Sequence, residues 1–205
     1  MIARTIVFTS LWCCALAGIP ALAHDPDAIE LEIPEVTVVG ERPVAASSQQ
    51  FIPEKEYLLQ PQGRPAQVLR LIPGFLAVEH SGGGGKADQY FLRGFDADHG
   101  TDVGFFLDGM PINVRTHAHG QGYTDLNFMI PELVSRVVYN KGPYFAEDGD
   151  FSSVGAARIH YAERLVTNAA SMTAGGYGYA RTVLAGSPEF GHGRLVYGLE
   201  YQHNN

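Results

Sequence analysis

The chain has 205 residues, with 14 Lys and Arg against 22 Asp and Glu, a formal charge of −8 at pH 7 and two cysteines, which gives room for about one ordinary domain with appendages. The acidic balance, without any basic block, excludes a nucleic-acid binder, because neutralising phosphates takes a local surplus of Lys and Arg. Apolar residues at 45% against 18% charged exclude wholesale disorder, and 24 glycines with 11% aromatic residues point to turns and strands rather than a helical bundle.

Residues 1–23 read as a cleavable secretory signal: Arg4 supplies the positive start, an apolar run covers 5–17, and Ala21-Leu22-Ala23 is a small-x-small cleavage site. A membrane-spanning helix would take about 20 apolar residues, and Pro20 closes the run earlier. Cys13 and Cys14 both lie in this leader, so stability after export must come from packing or docking rather than disulfides. Residues 24–63 read as a flexible tether, punctuated by Pro26, Pro34, Pro43, Pro53 and Pro61. One β-branched island, Val36-Thr37-Val38-Val39, interrupts it. Flanking prolines keep such a run out of the middle of a sheet, so it is either an edge strand of the next domain or a portable strand for another protein's sheet.

From residue 64 to 166 the texture is that of one small domain mixing short strands and short helices. Residues 65–72 form a short helix opened by Pro65, with Val68, Leu69 and Ile72 on one face, and stopped by Pro73-Gly74. Residues 75–79 alternate as a strand, 81–85 form a flexible glycine loop, and 89–95 make a strand ending in a glycine bend. Residues 103–107 and 110–113 form a hairpin around Asp108-Gly109, with Pro111 limiting pairing on the returning side. Pro131 starts a single helical turn, and 136–139 form a strand closed by Asn140-Lys141-Gly142-Pro143. The glycines before Lys86 do not make a phosphate loop: His80 stands where the first glycine is required, and Ala87 where Ser or Thr would hold Mg²⁺.

Beyond Thr167 the pattern lengthens. Leu195, Tyr197, Leu199 and Tyr201 alternate with small or polar residues over about ten positions, and 169–176 and 179–187 form two weaker strands with turns at Tyr177-Gly178 and 188–191. Dyad alternation at that length, in an exported acidic chain, is the pattern of an outer-membrane barrel; a soluble sandwich, the alternative, would give a similar but shorter alternation. A barrel of about 22 strands of about 10 residues needs well over 200 residues, so 167–205 supply the first strands of an incomplete one. The chain is then expected to be a fragment of a longer receptor or a truncated gene product.

Five motifs carry a resemblance: Leu69-Arg70-Leu71-Ile72-Pro73-Gly74, Leu92-Arg93-Gly94-Phe95, Leu107-Asp108-Gly109-Met110-Pro111, Ile130-Pro131-Glu132-Leu133 and Lys141-Gly142-Pro143. In this order and approximate spacing they resemble the plug domain of TonB-dependent outer-membrane receptors. Glu35-Val36-Thr37-Val38-Val39-Gly40 resembles the family's TonB box. The closing stretch, 146–159, departs from the usual Tyr-Gly and Gly-Gly pairs. The resemblance implies an α+β plug, a small mixed sheet with short helices, followed by the start of an antiparallel transmembrane β-barrel. It also implies an outer-membrane location, energised uptake of a scarce ligand such as a metal chelate or siderophore, and the TonB periplasmic domain as partner. TonB would add the box as a strand through about five ladder bonds of about 1 kcal/mol each.

The plug-motif positions singled out are Pro73, Gly74, Arg93, Gly94, Asp108, Gly109, Pro111, Pro131, Lys141, Gly142 and Pro143. Asp96, Asp98, His99, His117, His119 and Tyr123 are the possible ligand-facing residues. His117 and His119, on an extended segment, would point the same way and could bind a transition metal; otherwise they are hydrogen-bonding residues of the plug. No cofactor is implied beyond a metal or metal chelate as cargo. Asp96-x-Asp98 is not a calcium loop, since Thr101 and Leu107 occupy the positions for glycine and the distal Glu. No nucleophile elbow or zinc-hydrolase motif occurs, so no catalytic residues are assigned. The alternatives are a non-transporting plug, a passive surface receptor, a periplasmic metal-binding protein and a hydrolase.

Overall fold

The computed structural model describes residues 48–57, 64–79 and 86–204, all within one unit spanning 41–205. The expected leader, the island at 36–39 and the glycine loop at 81–85 lie outside the described residues. The principal sheet has five strands in the order β1 (Gln50–Pro53), β7 (Val134–Lys141), β8 (Gly155–Tyr161), β5 (Val103–Leu107), β6 (Met110–Pro111). β5 and β8 are parallel and the other pairs antiparallel, so the sheet is mixed, as the sequence suggests. β5 is nearly continuously apolar because it is central and buried on both faces. A second antiparallel sheet, β2 (Phe75–Val78), β3 (Gln89–Leu92) and β4 (Phe95–Asp96), packs Phe75 and Tyr90 against Phe105 of β5, with ring centroids 5.0 to 6.3 Å apart. Leu69, Ile72, Leu126, Met129, Val137 and Ile159 complete the core.

The tether expected over 24–63 ends earlier than its prolines suggest. β1 pairs Ile52 with Val137, a helical turn α1 (Glu54–Tyr57) follows, and the buried Tyr57 donates its hydroxyl to the carbonyl of Ile52 at 2.8 Å. Pro53 is tolerated because β1 is an edge strand. Residues 89–95 are not one strand but two, β3 and β4, joined by Arg93-Gly94. Both central residues have positive φ, 55° and 79°, the primed turn that suits a two-residue hairpin; Asp108-Gly109 at 47° and 82° is the same device. The expected helix is a 3₁₀ segment, Pro65–Leu71, with Ala66, Val68 and Leu69 buried, and a second 3₁₀ turn, Pro131–Leu133, opens on Pro131 as expected.

After the plug, β9 (Ala169–Ala174), β10 (Ala180–Gly186) and β13 (Tyr197–His203) form an antiparallel meander. Between them β11 (Glu189–Phe190) and β12 (Gly193–Arg194) make a small hairpin. The alternation is inside out by the standards of a soluble sheet. Met172, Leu199 and Tyr201 are 84%, 63% and 66% exposed, whereas Arg181 and Val183, pointing to the other face, are 6% and 1% exposed. That mixed face of β10 and β13 closes on the plug: Arg181 makes two bonds to Glu132, at 2.6 and 2.9 Å, and one to Glu200 at 2.7 Å. Gly198 is small for the same reason, since a Cβ there would lie 2.7 Å from Leu133 and 3.1 Å from Ile130. Among the described residues no helix is long and apolar enough to cross a membrane, which says nothing of strands.

Candidate functional site

The plug motifs serve as joints of the fold rather than as a cluster. The carbonyl of Gly74 accepts the Arg93 N–H at 2.8 Å, joining Pro73-Gly74 to Arg93-Gly94. Asp108 accepts the Tyr161 N–H at 3.2 Å, Pro111 sits on the edge strand β6, and Gly142, ahead of Pro143, donates its N–H to Val154 at 2.6 Å. Lys141 is largely buried, and burial, followed by the nearby Arg93, pushes its ammonium below its usual range.

The possible ligand-facing residues do converge. The chain leaves β4, passes His99, runs through the β5–β6 hairpin and returns at 114–124, where Val114 and Tyr123 pair and Thr124 donates its N–H to His99 at 2.7 Å. His117 stacks on Tyr123 with centroids 3.9 Å apart and planes 16° from parallel, and His119 lies 5.3 Å from His117. His99 meets His119 edge-on at 5.7 Å and Tyr123 at 5.5 Å. The segment is not extended as expected: the Gly120 N–H returns to His117 in a tight turn, at 3.1 Å, and this turn brings the two imidazoles together.

His117 and His119 are exposed and His99 is buried. The His99 Nδ1 lies 3.3 Å from the carbonyl of Asp88, and Nε2 is 3.6 Å from the Asp98 carboxylate, so both ring nitrogens face acceptors. Asp98 therefore belongs to the cluster. Asp96 is spent on its own turn, accepting from the Gln89 amide at 3.1 Å and from the Asp98 N–H at 2.8 Å. The Tyr123 hydroxyl accepts the Ala87 N–H at 3.2 Å, tying the face to the strand before it. Among the described residues, no three His, Cys, Asp or Glu side chains converge on one metal-sized point.

What holds this face in place is invisible in the motifs. Asn113 accepts the Phe105 N–H at 2.7 Å and donates to the carbonyls of Gly100, Val103 and Gly122 at 2.8, 2.9 and 3.0 Å. Below the cluster Arg64 grips Asp88 at 2.6 Å and Glu79 at 3.0 Å; even so, burial outweighs Arg64 and raises the Asp88 carboxyl above its usual range. Beyond β5, buried Asp148 is held by Arg158 and by Asn140, the latter at 3.0 Å. Side-chain partners stand up to 89 positions apart, as Tyr139 and Gln50 do, so no spacing rule reveals them.

At the far end of the sheet, His160 lines a cleft of about 890 Å³ with Asp108, Arg136, Arg164 and Glu54. Burial, then Arg136, push its pKa below 6.5, Arg158 adding to the effect and Asp108 opposing it. The folded state therefore prefers neutral His160. Its contribution is complete above the unfolded pKa near 6.5 and is lost as pH falls through the lower folded pKa. Stability should decline as pH falls from about 6.5 toward the lower folded value, and His160→Gln should flatten that slope. Denaturation midpoints across the range, wild type against variant, measure it; an identical slope would contradict the assignment.

The family described as the TonB-dependent receptor plug domain matches residues 41–156. Solved structures share the fold. The copper transporter OprC is 22% identical over 77% of this chain and 24% of its own, with a TM-score of 0.57. The siderophore receptor PiuA from Acinetobacter baumannii is 21% identical over 78% of this chain and 21% of its own, at 0.55. FpvA of P. aeruginosa, solved with heterologous pyoverdines, is 19% identical over 77% of this chain and 20% of its own, at 0.59. The chain spans at most about a quarter of these proteins' lengths. With the mixed sheet, the joint motifs and the family match over most of the described plug, the chain belongs to the TonB-dependent receptors, of which it contains the plug domain.

Proposed function

We propose that this chain is the N-terminal part of an outer-membrane receptor that takes up a scarce ligand, a metal ion, metal chelate or siderophore, with energy delivered by TonB. One observation carries the reading: β10 and β13 turn apolar side chains such as Leu184, Leu199 and Tyr201 outward, while the opposite face, with Arg181 and Glu200, meets Glu132 of the plug. A plug closed against the inner wall of a lipid-facing barrel needs that arrangement, and a soluble binding protein or hydrolase does not. In this reading residues 1–23 are a leader removed on export, Glu35 to Gly40 are the TonB box, 64–166 are the bulk of the plug, and further wall strands complete the barrel.

The sheet supports a direction for the ligand. β5 and β8 run parallel, and their C-terminal ends meet the connection to the wall strands, while the histidine face lies at the N-terminal end of β5. Ligand and wall connection are thus assigned to opposite ends of the plug. The box is tested by titrating the detergent-solubilised protein with the TonB periplasmic domain. Proline at Val38 removes a ladder donor, so Val38→Pro should weaken binding about tenfold or more; unchanged affinity would remove residues 35–40 from the coupling role.

A further inference from the structure

Resting on the reading that the histidine face meets the incoming ligand, we propose that the cargo is a divalent transition-metal ion with exchangeable coordination positions, captured by His117 and His119, and not an anionic ferric chelate. Charge is the first ground. Residues 96–125 place Asp96, Asp98, Asp102 and Asp125 toward the histidine end of the plug against the cation Arg115, with Lys86 next to Ala87, whose N–H meets Tyr123. Beside the face, Arg64 is committed to Asp88 and Glu79. A ferric tris-catecholate is a trianion with no open metal position, and its recognition calls for Arg or Lys. This surface offers carboxylates and imidazoles instead, a set that draws cations and that suits copper, zinc or nickel.

Geometry is the second ground. Two imidazoles on one tetrahedral metal, with metal–nitrogen bonds of 2.0 to 2.1 Å, place their centroids about 5 Å apart; His117 and His119 stand at 5.3 Å. Tyr123 beneath His117 fixes that ring's plane, and His99, seated against Asp98, backs His119 from the side. The His117 Nδ1 accepts the His119 N–H at 3.2 Å, so in the neutral ring Nε2 carries the proton. Coordination through Nδ1 then passes that lone pair from the backbone N–H to the metal and releases no proton. The turn at 117–120 loses one internal bond as the ion arrives, so occupancy is read by the backbone. With two protein ligands and, among the described residues, no converging third, the remaining positions stay with water or a carrier's donors, which suits transient capture and release.

The test uses the purified protein in detergent micelles with Cu²⁺ and Zn²⁺ as probes. Calorimetry should give one ion per chain, and Cu²⁺ electron paramagnetic resonance should show nitrogen coupling from two imidazoles. His117→Gln and His119→Gln should each raise Kd at least about tenfold, with far-ultraviolet circular dichroism and the denaturation midpoint little changed since both side chains are exposed. Ferric tris-catecholate should not displace the ion. Metal affinity equal in the double variant, or tight ferric tris-catecholate binding indifferent to it, would overturn the assignment. TonB titration of the same preparation separates the two readings: TonB binding without metal binding sinks the cargo assignment alone, and metal binding without TonB binding sinks the uptake reading alone.

Discussion

Asn113→Asp should destabilise the plug by about 3 kcal/mol or more and release the loop that bears the histidines. The native amide donates to three backbone carbonyls, those of Gly100, Val103 and Gly122, while its oxygen accepts from Phe105. Aspartate keeps the acceptor, loses both donors and sets a negative charge against three carbonyl oxygens. Each such group left unsatisfied costs about 1 to 3 kcal/mol. Hydrogen exchange should show protection lost first over 97–124, and the variant should regain stability on acidification, because the protonated carboxyl can donate again. A denaturation midpoint equal to that of the wild type would show that Asn113 is incidental.

Arg181→Met should cost about 3 to 5 kcal/mol, the range for removing one partner of a buried ion pair. Glu132 and Glu200 both lean on this guanidinium and are themselves largely shielded. Without it two carboxylates face each other across the seam between plug and wall strands. Replacing all three by apolar residues of similar volume should be close to neutral, which distinguishes lost pairing from lost packing. Proteolysis and hydrogen exchange at 130–134 and 180–186 read out the seam; unchanged protection in Arg181→Met would show that packing around Gly198 suffices.

The sequence makes local structure legible wherever a residue type dictates backbone geometry. Asp108-Gly109 announces its hairpin, Pro131 its single turn, and the alternation around Leu199 its two-faced strand. Elsewhere tertiary pairing overrides local punctuation. Pro53 and its neighbours look like linker, yet Ile52 and Tyr57 find hydrophobic partners in β7 and the core. Left-handed arginine is uncommon, so Arg93 reads as strand in the sequence, yet the pairing of Leu92 with Phe95 imposes the turn. In the candidate site, residue types were readable and their assembly was not. His99 and His119 are 20 positions apart and meet only because Asn113 folds the intervening hairpin back. Arg181 and Glu132 belong to different layers, and no periodicity links them.

Among the described residues, β1 joins the principal sheet through one neighbour and is the first paired segment from the N-terminal side. Tension applied to the chain ahead of Gln50 therefore enters the fold at a border strand of four residues. Such a strand can be peeled away rung by rung without disturbing β8 or β5, withdrawing Ile52 and then Tyr57 from the interior. The plug has a built-in order of mechanical yielding, in which its outermost ribbon gives way before its centre.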